Sequence, residues 1–297
     1  MASLRDIRNR IGSVKNTRQI TRAMKLVSSA KLNRATQAAT SARPFQQALE
    51  RTLKRVVAAG GEGLDHPLLR QPEVQAEVLV VIMTADRGLC GNFNAIINRN
   101  TQIEIDKLVA AGKNVRIVCY GKKGRQHFAR RSYTIADAVI DLNPRNYPEI
   151  ADALSVRLQR ELAEDTFSEA YLAYNRYRSV LSQEPTFLQL LPMKLHDANQ
   201  ASAQTSGDDG GATEDFIFEP DASSLMARLL PMSLRTQLFQ ALLETQAGEQ
   251  AKRMTAMDAA TRNASDLISR LTLEYNRARQ AAITKELIEI VSGAEAL

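Results

Sequence analysis

The sequence predicts an α/β protein in which helices near the two termini pair as a long antiparallel two-helix coiled coil, with an α/β domain between them. Residues 13–43 and 249–292 contain neither glycine nor proline and are therefore expected to be helical. Between these windows, apolar runs of strand length alternate with helical periods. The composition also favours helix, since tryptophan is absent and aromatic residues make up only 5%.

The N-terminal helix, predicted over residues 1–59, opens with an apolar repeat at alternating steps of three and four: Leu4, Ile7, Ile11 and Val14. The same register would next place polar residues on the apolar face, namely Arg18, Thr21 and Lys25. Apolar residues occur instead one position earlier, at Ile20, Met24 and Val27. The pattern therefore predicts that the apolar face shifts near Thr17 and that the helix changes neighbours there.

The central domain, predicted over residues 75–195, begins with apolar runs over 78–84 and 115–120, separated by a helical period over 95–111. This βαβ pattern is typical of a Rossmann-like domain with a right-handed crossover. Further elements are then predicted: a helix over residues 150–163 and strands over 170–177 and 186–191, the last bounded by Pro185 and Pro192. Residues 196–231 follow as a separate segment, and their polar, glycine-containing start predicts a mobile loop.

The C-terminal helix, predicted over residues 232–297, carries an apolar repeat of period 3.5, which indicates a left-handed coiled coil. Its members are Met254, Met257, Thr261, Ala264, Ile268, Leu271, Tyr275, Ala278 and Ala282. An unbroken helix from Met232 to Leu297 would be about 100 Å long at about 1.5 Å per residue. A small domain is narrower than that, so the helix is expected to project from it.

Composition argues against several classes of protein. The 297 residues are 44% hydrophobic, enough for a buried core, but no run reaches the roughly 18 to 20 apolar residues of a membrane-spanning helix. Cys90 and Cys119 are too few for a disulfide framework, and neither CxxC nor a Cys/His cluster predicts zinc. A reducing compartment is therefore expected. No other pattern in the sequence leads to a prediction of a metal or a cofactor.

The net charge of +6 is concentrated at the N-terminus. Residues 1–49 hold ten basic side chains and a single acidic one, Asp6, so the other 248 residues carry a net charge of −3. Such a basic helix suits an acidic protein surface, nucleic acid or anionic lipid. Aromatic residues are not interleaved with the basic ones, as they often are in nucleic-acid-binding segments. The start also resembles a transit peptide, but its periodicity continues beyond Val27, which favours mature structure.

A loop over residues 86–94 follows the first strand, at the position where doubly wound folds bind phosphates. It contains only Gly88 and Gly91, lacks the third glycine of GxGxxG, and the chain has no GxxxxGK motif. A tight structural turn is therefore favoured over a nucleotide site. Cys90 could be a nucleophile near a helix N-terminus, but the three histidines stand in unrelated contexts, so a buried thiol is favoured.

Three stretches closely resemble the signature regions of the ATP synthase gamma subunit family. They are ITRAMKLVSSAK at 20–31, DRGLCGNFN at 86–94 and ITKELIEIVSGA at 283–294. The resemblance implies the central rotor shaft of a bacterial F-type ATP synthase, present once per complex and coupling proton flow to ATP synthesis. The implied partners are the alpha and beta subunits around the coil, and the epsilon subunit and membrane c-ring at the foot.

The resemblance further implies a non-catalytic subunit that binds no nucleotide and no nucleic acid, peripheral to the bacterial cell membrane on its cytoplasmic side. No cysteine-bearing regulatory insert is present, so thiol control is not expected.

The same resemblance implies specific partner-contact residues. Contacts to the beta subunits are implied for Met24, Arg253, Arg279 and Gln280, with Thr284, Glu286 and Glu289 farther along the tip. Phe216 and Glu219 lie in the segment that would meet the c-ring. Arg253 precedes Met254, and Arg279 and Gln280 follow Ala278, offsets that are expected to turn these side chains away from the partner helix. Without the resemblance, Met24 would be read as core and the charged residues as solvated helix surface.

Two other classes of function remain open from the residues alone. One is a nucleotide-dependent α/β enzyme with coiled-coil arms, which ATP affinity of the isolated chain would favour. The other is a basic nucleic-acid-binding coiled coil, which salt-sensitive retention on DNA would favour.

Overall fold

The computed structural model describes residues 3–60, 66–70, 77–131, 133–193 and 221–295. The chain divides into two compact units: residues 1–30 with 253–297, and residues 31–252. Both division points fall inside long helices, α1 (Leu4–Gly60) and α5 (Ala222–Glu295). No helix within the described residues has the length and apolarity needed to cross a membrane. The predicted mobile loop over 196–215 lies outside the described residues.

In the first unit, α1 and α5 pair in antiparallel orientation. The Arg8 guanidinium donates to the Tyr275 hydroxyl at 2.8 Å, and Lys25 Nζ donates to Asp258 Oδ1 at 2.5 Å. Lys25 lies 17 residues after Arg8 on α1, whereas its partner Asp258 lies 17 residues before Tyr275, the partner of Arg8, on α5. Equal and opposite steps define an antiparallel pair in constant register.

The apolar repeat predicted for the C-terminal helix is confirmed. Met257, Ala264 and Leu271 are buried, and the other predicted members of the repeat are at least half-buried. Between residues 269 and 292 every side chain outside the repeat is exposed. Buried positions at alternating steps of three and four follow the period of 3.5 that a left-handed coiled coil requires.

The predicted shift of the apolar face of α1 near Thr17 is wrong. The initial register continues without interruption, so that Arg18, Thr21 and Lys25 lie on the seam. Ile20 and Val27 are instead 60% and 55% exposed. Polar residues are tolerated on the seam because α5 supplies partners: the Thr261 hydroxyl lies 2.8 Å from the Thr21 hydroxyl, and Asp258 pairs with Lys25.

Both long helices contain an internal proline. α1 continues through Pro44 to Gly60, close to its predicted range of 1–59. α5 begins at Ala222, ten residues before the predicted start at Met232, and continues through Pro231. Asp221 caps α5 by accepting from Ser224 N at 2.7 Å, a hydrogen bond that lowers the pKa of the Asp221 carboxyl. A proline inside a helix costs about 3 kcal/mol. Burial of the early α5 side chains offsets that cost: Met226, Leu230, Leu234 and Leu238.

The second unit is built on a five-stranded sheet of order β3-β2-β1-β4-β5. The strands are β1 (Glu77–Met83), β2 (Val115–Tyr120), β3 (Thr134–Val139), β4 (Phe167–Tyr177) and β5 (Gln183–Leu191). β5 is antiparallel to β4 and all other pairs are parallel, which confirms the predicted βαβ unit and a Rossmann-like order. β3 was not predicted, because its residues lack an apolar run. β5 contains Pro185, which an edge strand tolerates.

Three shorter helices join the strands: α2 (Phe93–Ala110), α3 (Lys122–Phe128) and α4 (Tyr147–Ala163), the last preceded by a 3₁₀ turn at Pro144–Asn146. β1 is buried on both faces, which explains its unbroken apolar run. On one face, Val78, Val80 and Ile82 pack with side chains of α2 and α3. On the other face, alternate residues of β1 pack with α1, α4 and α5.

Gly121→Ala is expected to lower the free energy of unfolding by roughly 1 to 3 kcal/mol, the usual cost of a strained backbone conformation. Gly121 has φ 109°, and an added Cβ would lie 2.2 Å from the carbonyl oxygen of Thr84. Gly12→Ala is the control, because a Cβ there meets nothing within 4 Å and the residue lies inside α1. This control is expected to raise stability by about 0.5 to 1 kcal/mol. Urea unfolding of both variants measures the two effects, and a Gly121→Ala protein as stable as wild type would contradict the close packing at this turn.

A cysteine pair tests the register of the coil. Thr21→Cys with Thr261→Cys is expected to form a disulfide within one chain under mild oxidation, because the two hydroxyl oxygens are 2.8 Å apart. Ile20→Cys with Thr261→Cys is the control, since Ile20 is exposed and one residue out of register. Non-reducing mass spectrometry of the digested protein identifies the linked peptides. Linkage through position 20 but not 21 would contradict the register of the coil in the structure.

Candidate functional site

The last part of α5 presents an unusually apolar exposed surface. Every side chain from residue 283 to residue 292 is exposed, because the register places Leu4, the first residue of α1, opposite residue 279. Five of these exposed side chains are large and apolar: Ile283, Leu287, Ile288, Ile290 and Val291. Scattered apolar residues are normal on a protein surface, but five of them within ten residues of one exposed helix are typical of an interaction site.

The predicted contact residues between positions 279 and 289 of α5 lie on this exposed surface or next to it. Arg279 and Gln280 are exposed and directly follow the half-buried seam residue Ala278, in agreement with the predicted offsets. Thr284, Glu286 and Glu289 are also exposed. Glu289 lies 3.5 Å from Lys285, an exposed pair of little energetic weight. The structure therefore leaves these side chains accessible, while their contacts with another protein stay a prediction.

Met24 is half-buried beside the seam of α1. It lies on the same helical face as Ile20 and Val27, which follow the spacing i, i+4 and i+7 and are both largely exposed. Sequence reasoning had assigned this apolar triplet to a new neighbour of α1 beyond Thr17. In the structure the triplet lies outside the seam and forms a second apolar face of α1, on which Ile20 and Val27 are exposed.

Arg253 differs from its sequence-based expectation. Its residue is only 8% exposed, so the side chain is not turned outward as its position next to Met254 had suggested. None of the residues 250–258 is fully exposed, so α5 is covered around its circumference at this point. A contact of Arg253 with another protein stays a prediction, and its removal is expected to affect folding as well. Phe216 and Glu219 lie outside the described residues.

Beside the polar part of the seam lies a cavity of about 460 Å³ with a basic lining. Arg18, Arg22 and Lys25 contribute from α1, and Asp258 is the one acidic residue among the lining side chains. The hydrogen bond from Lys25 holds the pKa of the Asp258 carboxyl below its usual value. The excess of positive charge here suits an acidic partner.

At the carboxyl ends of β1 and β2, the chain's own side chains bind the backbone donors that a phosphate would need. The Thr84 hydroxyl accepts from Gly124 N at 2.8 Å. Asp86 accepts from Lys122 N at 2.8 Å through Oδ1 and from Leu142 N at 2.7 Å through Oδ2. The loop over 86–94 therefore ties three turns together, which supports its interpretation as a structural turn.

The same loop is covered by α5. A Cβ on Gly248 would lie 3.0 Å from the ring of Phe93, the first residue of α2. Asn175 of β4 donates to the Phe93 carbonyl at 3.3 Å. In doubly wound folds a ligand occupies the crevice where the strand order reverses, here between β1 and β4. In this chain Gly248 of α5 and Asn175 of β4 lie against Phe93 beside that crevice.

Candidate nucleophiles and bases are placed for packing. Cys90 is 1% exposed and accepts a hydrogen bond from Asn94 Nδ2 at 3.2 Å. Burial raises the pKa of the Cys119 thiol to about 12, so this thiol is protonated at neutral pH. Burial lowers the pKa of His127 on α3. In the described part of the chain, no group of three or more His, Cys, Asp or Glu side chains is arranged to hold a metal ion.

Comparison with known proteins identifies the family. The model of a family described as ATP synthase matches residues 3–297. The chain is 46% identical over 303 residues to the ATP synthase gamma chain of Jannaschia sp. and 45% identical over 300 residues to that of Hyphomonas neptunium, with 100% of both chains covered in each case.

Solved structures show the same fold at lower identity. The rotor of Euglena gracilis mitochondrial ATP synthase in rotational state 1 matches with a TM-score of 0.61 and 20% identity, covering 94% of this chain and 98% of that one. The central stalk and c-ring structure of the Tetrahymena thermophila mitochondrial ATP synthase contains a chain that matches with a TM-score of 0.56 and 22% identity, covering 81% of this chain and 99% of that one. The full-length identity to curated relatives shows that the chain belongs to the ATP synthase gamma chain family.

Proposed function

We propose that the chain is the central rotor shaft of an F-type ATP synthase, coupling proton flow through a membrane c-ring to ATP synthesis on a ring of alpha and beta subunits. The observation that carries this proposal is the coil of the first unit. Its seam residues on α1 and α5 pack against each other, while a second set of apolar side chains stays exposed. A rotor shaft needs both features, because it must keep its own shape and also contact the subunits that surround it.

The chain acts without catalysing a reaction itself. Thr84 and Asp86 bind the backbone donors at the carboxyl ends of β1 and β2, and Gly248 of α5 lies against Phe93 beside the crevice between β1 and β4. Both observations support a body that binds no nucleotide and no cofactor. ATP chemistry then takes place on partner subunits. The shaft contributes by making different contacts with each of several catalytic sites, and it stabilises a different conformation of each.

The partners follow from the same role. The alpha and beta subunits surround the coil, with Met24, Arg253, Arg279, Gln280, Thr284, Glu286 and Glu289 as contacts. The epsilon subunit and the c-ring meet the α/β body, with Phe216 and Glu219 toward the c-ring. One copy serves each complex, bound peripherally to the cytoplasmic side of a bacterial cell membrane. Each charge that crosses about 100 mV supplies about 2.3 kcal/mol to drive the rotation.

Purification of the tagged wild-type chain from its native membranes tests the assignment. A stable complex with two larger nucleotide-binding subunits and a membrane-embedded ring is expected. A chain that purifies alone and binds ATP would contradict the rotor function and favour a nucleotide-dependent enzyme. Salt-sensitive retention of the lone chain on DNA would favour a nucleic-acid-binding coil.

Arg279→Ala and Gln280→Ala are expected to leave the complex assembled while lowering both ATP synthesis and multisite ATP hydrolysis. Both side chains are exposed on the described chain, so their removal leaves no cavity. Truncating one member of a desolvated charged pair at an interface costs about 2 to 5 kcal/mol, against about 0 to 1 kcal/mol for a solvated pair. Rates and subunit stoichiometry are measured on the same preparations.

Arg277→Ala is the matched control for these variants, because Arg277 is an exposed arginine of the same helix that is not assigned to a partner contact. Wild-type rates are expected for it. Rates equal to wild type in Arg279→Ala and Gln280→Ala as well would refute the assigned contacts. Arg253→Ala is expected to differ from the other variants by also lowering the thermal midpoint, since Arg253 is buried.

Cys90→Ala is expected to leave the ATPase activity of the assembled complex largely unchanged, because the Cys90 thiol is buried and packs against Asn94 in a structural turn. Cys119→Ala is the control, a second buried thiol on β2. Activity of both variants is measured alongside their thermal midpoints. Complete loss of activity in a properly assembled Cys90→Ala complex would indicate a reactive thiol.

A further inference from the structure

β4 extends beyond the strand beside it. Its pairing with β1 ends where Ala173 lies opposite Ile82, whereas β4 continues to Tyr177. On the other side, β5 remains paired with β4 up to Tyr177. The two long helices take the place of β1 along this last part of β4.

Two oppositely charged side chains form hydrogen bonds with the backbone of Tyr177. Glu244 of α5 accepts a hydrogen bond from Tyr177 N at 3.2 Å, and Arg43 of α1 donates one to Tyr177 O at 3.2 Å. The guanidinium Nη2 of Arg43 lies 3.6 Å from Glu244 Oε1. An acceptor and a donor from the two helices therefore supply the hydrogen bonds that a neighbouring strand would otherwise provide.

The carboxylate of Glu244 is held inside the body. Its side chain is 7% exposed, and a buried carboxylate is costly unless it is paired and hydrogen-bonded. Gln240, one turn earlier on α5, donates to Glu244 Oε1 at 2.9 Å and to the Ala39 carbonyl of α1 at 3.4 Å. Glu244 is thus the point at which β4, α1 and α5 are joined by hydrogen bonds and charge.

We propose that Arg43 and Glu244 form a joint that holds the sheet of the α/β body to both long helices and keeps the body from yielding when torque is applied. The inference rests on the proposed rotor function, because only a rotor loads this joint. Both residues act through the backbone of Tyr177, so they are positioning residues. A joint that gives way under load lets ATP hydrolysis proceed while less of its free energy reaches the proton pump.

The test compares variants in the assembled, membrane-bound complex. Glu244→Ala and Arg43→Met are expected to lower the ratio of ATP-driven proton pumping to ATP hydrolysis by about twofold or more, the lower end of the effects seen for residues that couple distant sites. Hydrogen exchange at the Tyr177 amide is expected to accelerate in both variants. Glu244→Gln is expected to lie in between, because its side-chain carbonyl still accepts from Tyr177 N while its charge is lost.

Arg178→Ala is the matched control. Arg178 follows Tyr177 directly and pairs with Glu184 at 3.0 Å, but both side chains are more than half exposed. The control removes an ion pair from the same hairpin without touching the joint. It is expected to retain wild-type coupling and wild-type exchange at Tyr177.

A charge swap separates the joint from an ordinary ion pair. Arg43→Glu with Glu244→Arg restores opposite charges but places a cation at Tyr177 N–H and a carboxylate at Tyr177 C=O. The swapped protein is therefore expected to remain uncoupled. Recovery of coupling by the swap would overturn the proposed contact with the strand.

The outcomes are separable from those of the proposed function. Proton pumping by the wild-type complex during ATP hydrolysis would support the rotor function. Normal coupling in assembled Glu244→Ala and Arg43→Met complexes would then overturn the proposed joint. A fall in the thermal midpoint with an unchanged coupling ratio would reduce both residues to a structural role. Where Glu244→Ala fails to assemble, Arg43→Met decides, because the Arg43 side chain is 45% exposed and leaves little cavity.

Discussion

The structure depends on one face of α1, which packs against α5 in the first unit and joins the core of sheet and helices in the second unit. Isolated helices are marginal in water, so helices as long as Leu4–Gly60 and Ala222–Glu295 need a packed face along their length. α1 supplies that face from Leu4 to Val56 at alternating steps of three and four, without a break in register. Small residues such as Ala264 on the α5 side allow the backbones to approach closely.

The polar interruption of this seam has a different physical character. An apolar seam can slip by a whole repeat at little cost, whereas Thr21 with Thr261 and Lys25 with Asp258 are satisfied in one alignment. Polar residues at seam positions are known to fix register at some expense of stability. The apolar residues near this point, Ile20, Met24 and Val27, form a second face of α1 instead. The surrounding subunits of the proposed complex would cover that face.

In the second unit the same two helices occupy space that a Rossmann-like body commonly gives to a ligand. Gly248 lets α5 approach Phe93, and Arg43 and Glu244 bind the end of β4. The turns at the carboxyl ends of β1 and β2 are closed by Thr84 and Asp86. In a fold that elsewhere binds nucleotides, these donors and acceptors are used internally to hold turns and helices in place.

Some of this organisation was fixed locally and could be predicted. The period of 3.5 between Met257 and Ala282, the strand-length run that became β1, and the exposure of Arg279 and Gln280 each follow from side-chain spacing along one element. Spacing decides which residues share a face, and burial of that face follows from its apolar character. The family itself was recognisable from three short stretches, because each of them keeps particular residues at set offsets along the chain.

Other features were decided only by the tertiary structure. Thr21 and Lys25 lie on the seam because α5 brings partners for them, and Arg253 is buried because the helix around it is covered on most sides. Glu244 meets Tyr177, and Asp86 meets Leu142, across many residues of sequence. The sequence by itself determined most of the elements, the apolar face of α5 and the start of the apolar face of α1, because these depend on near neighbours along the chain. Which polar groups are buried, and what satisfies them, was decided by distant segments, because a polar side chain is stable in the interior only where another segment supplies its hydrogen bond.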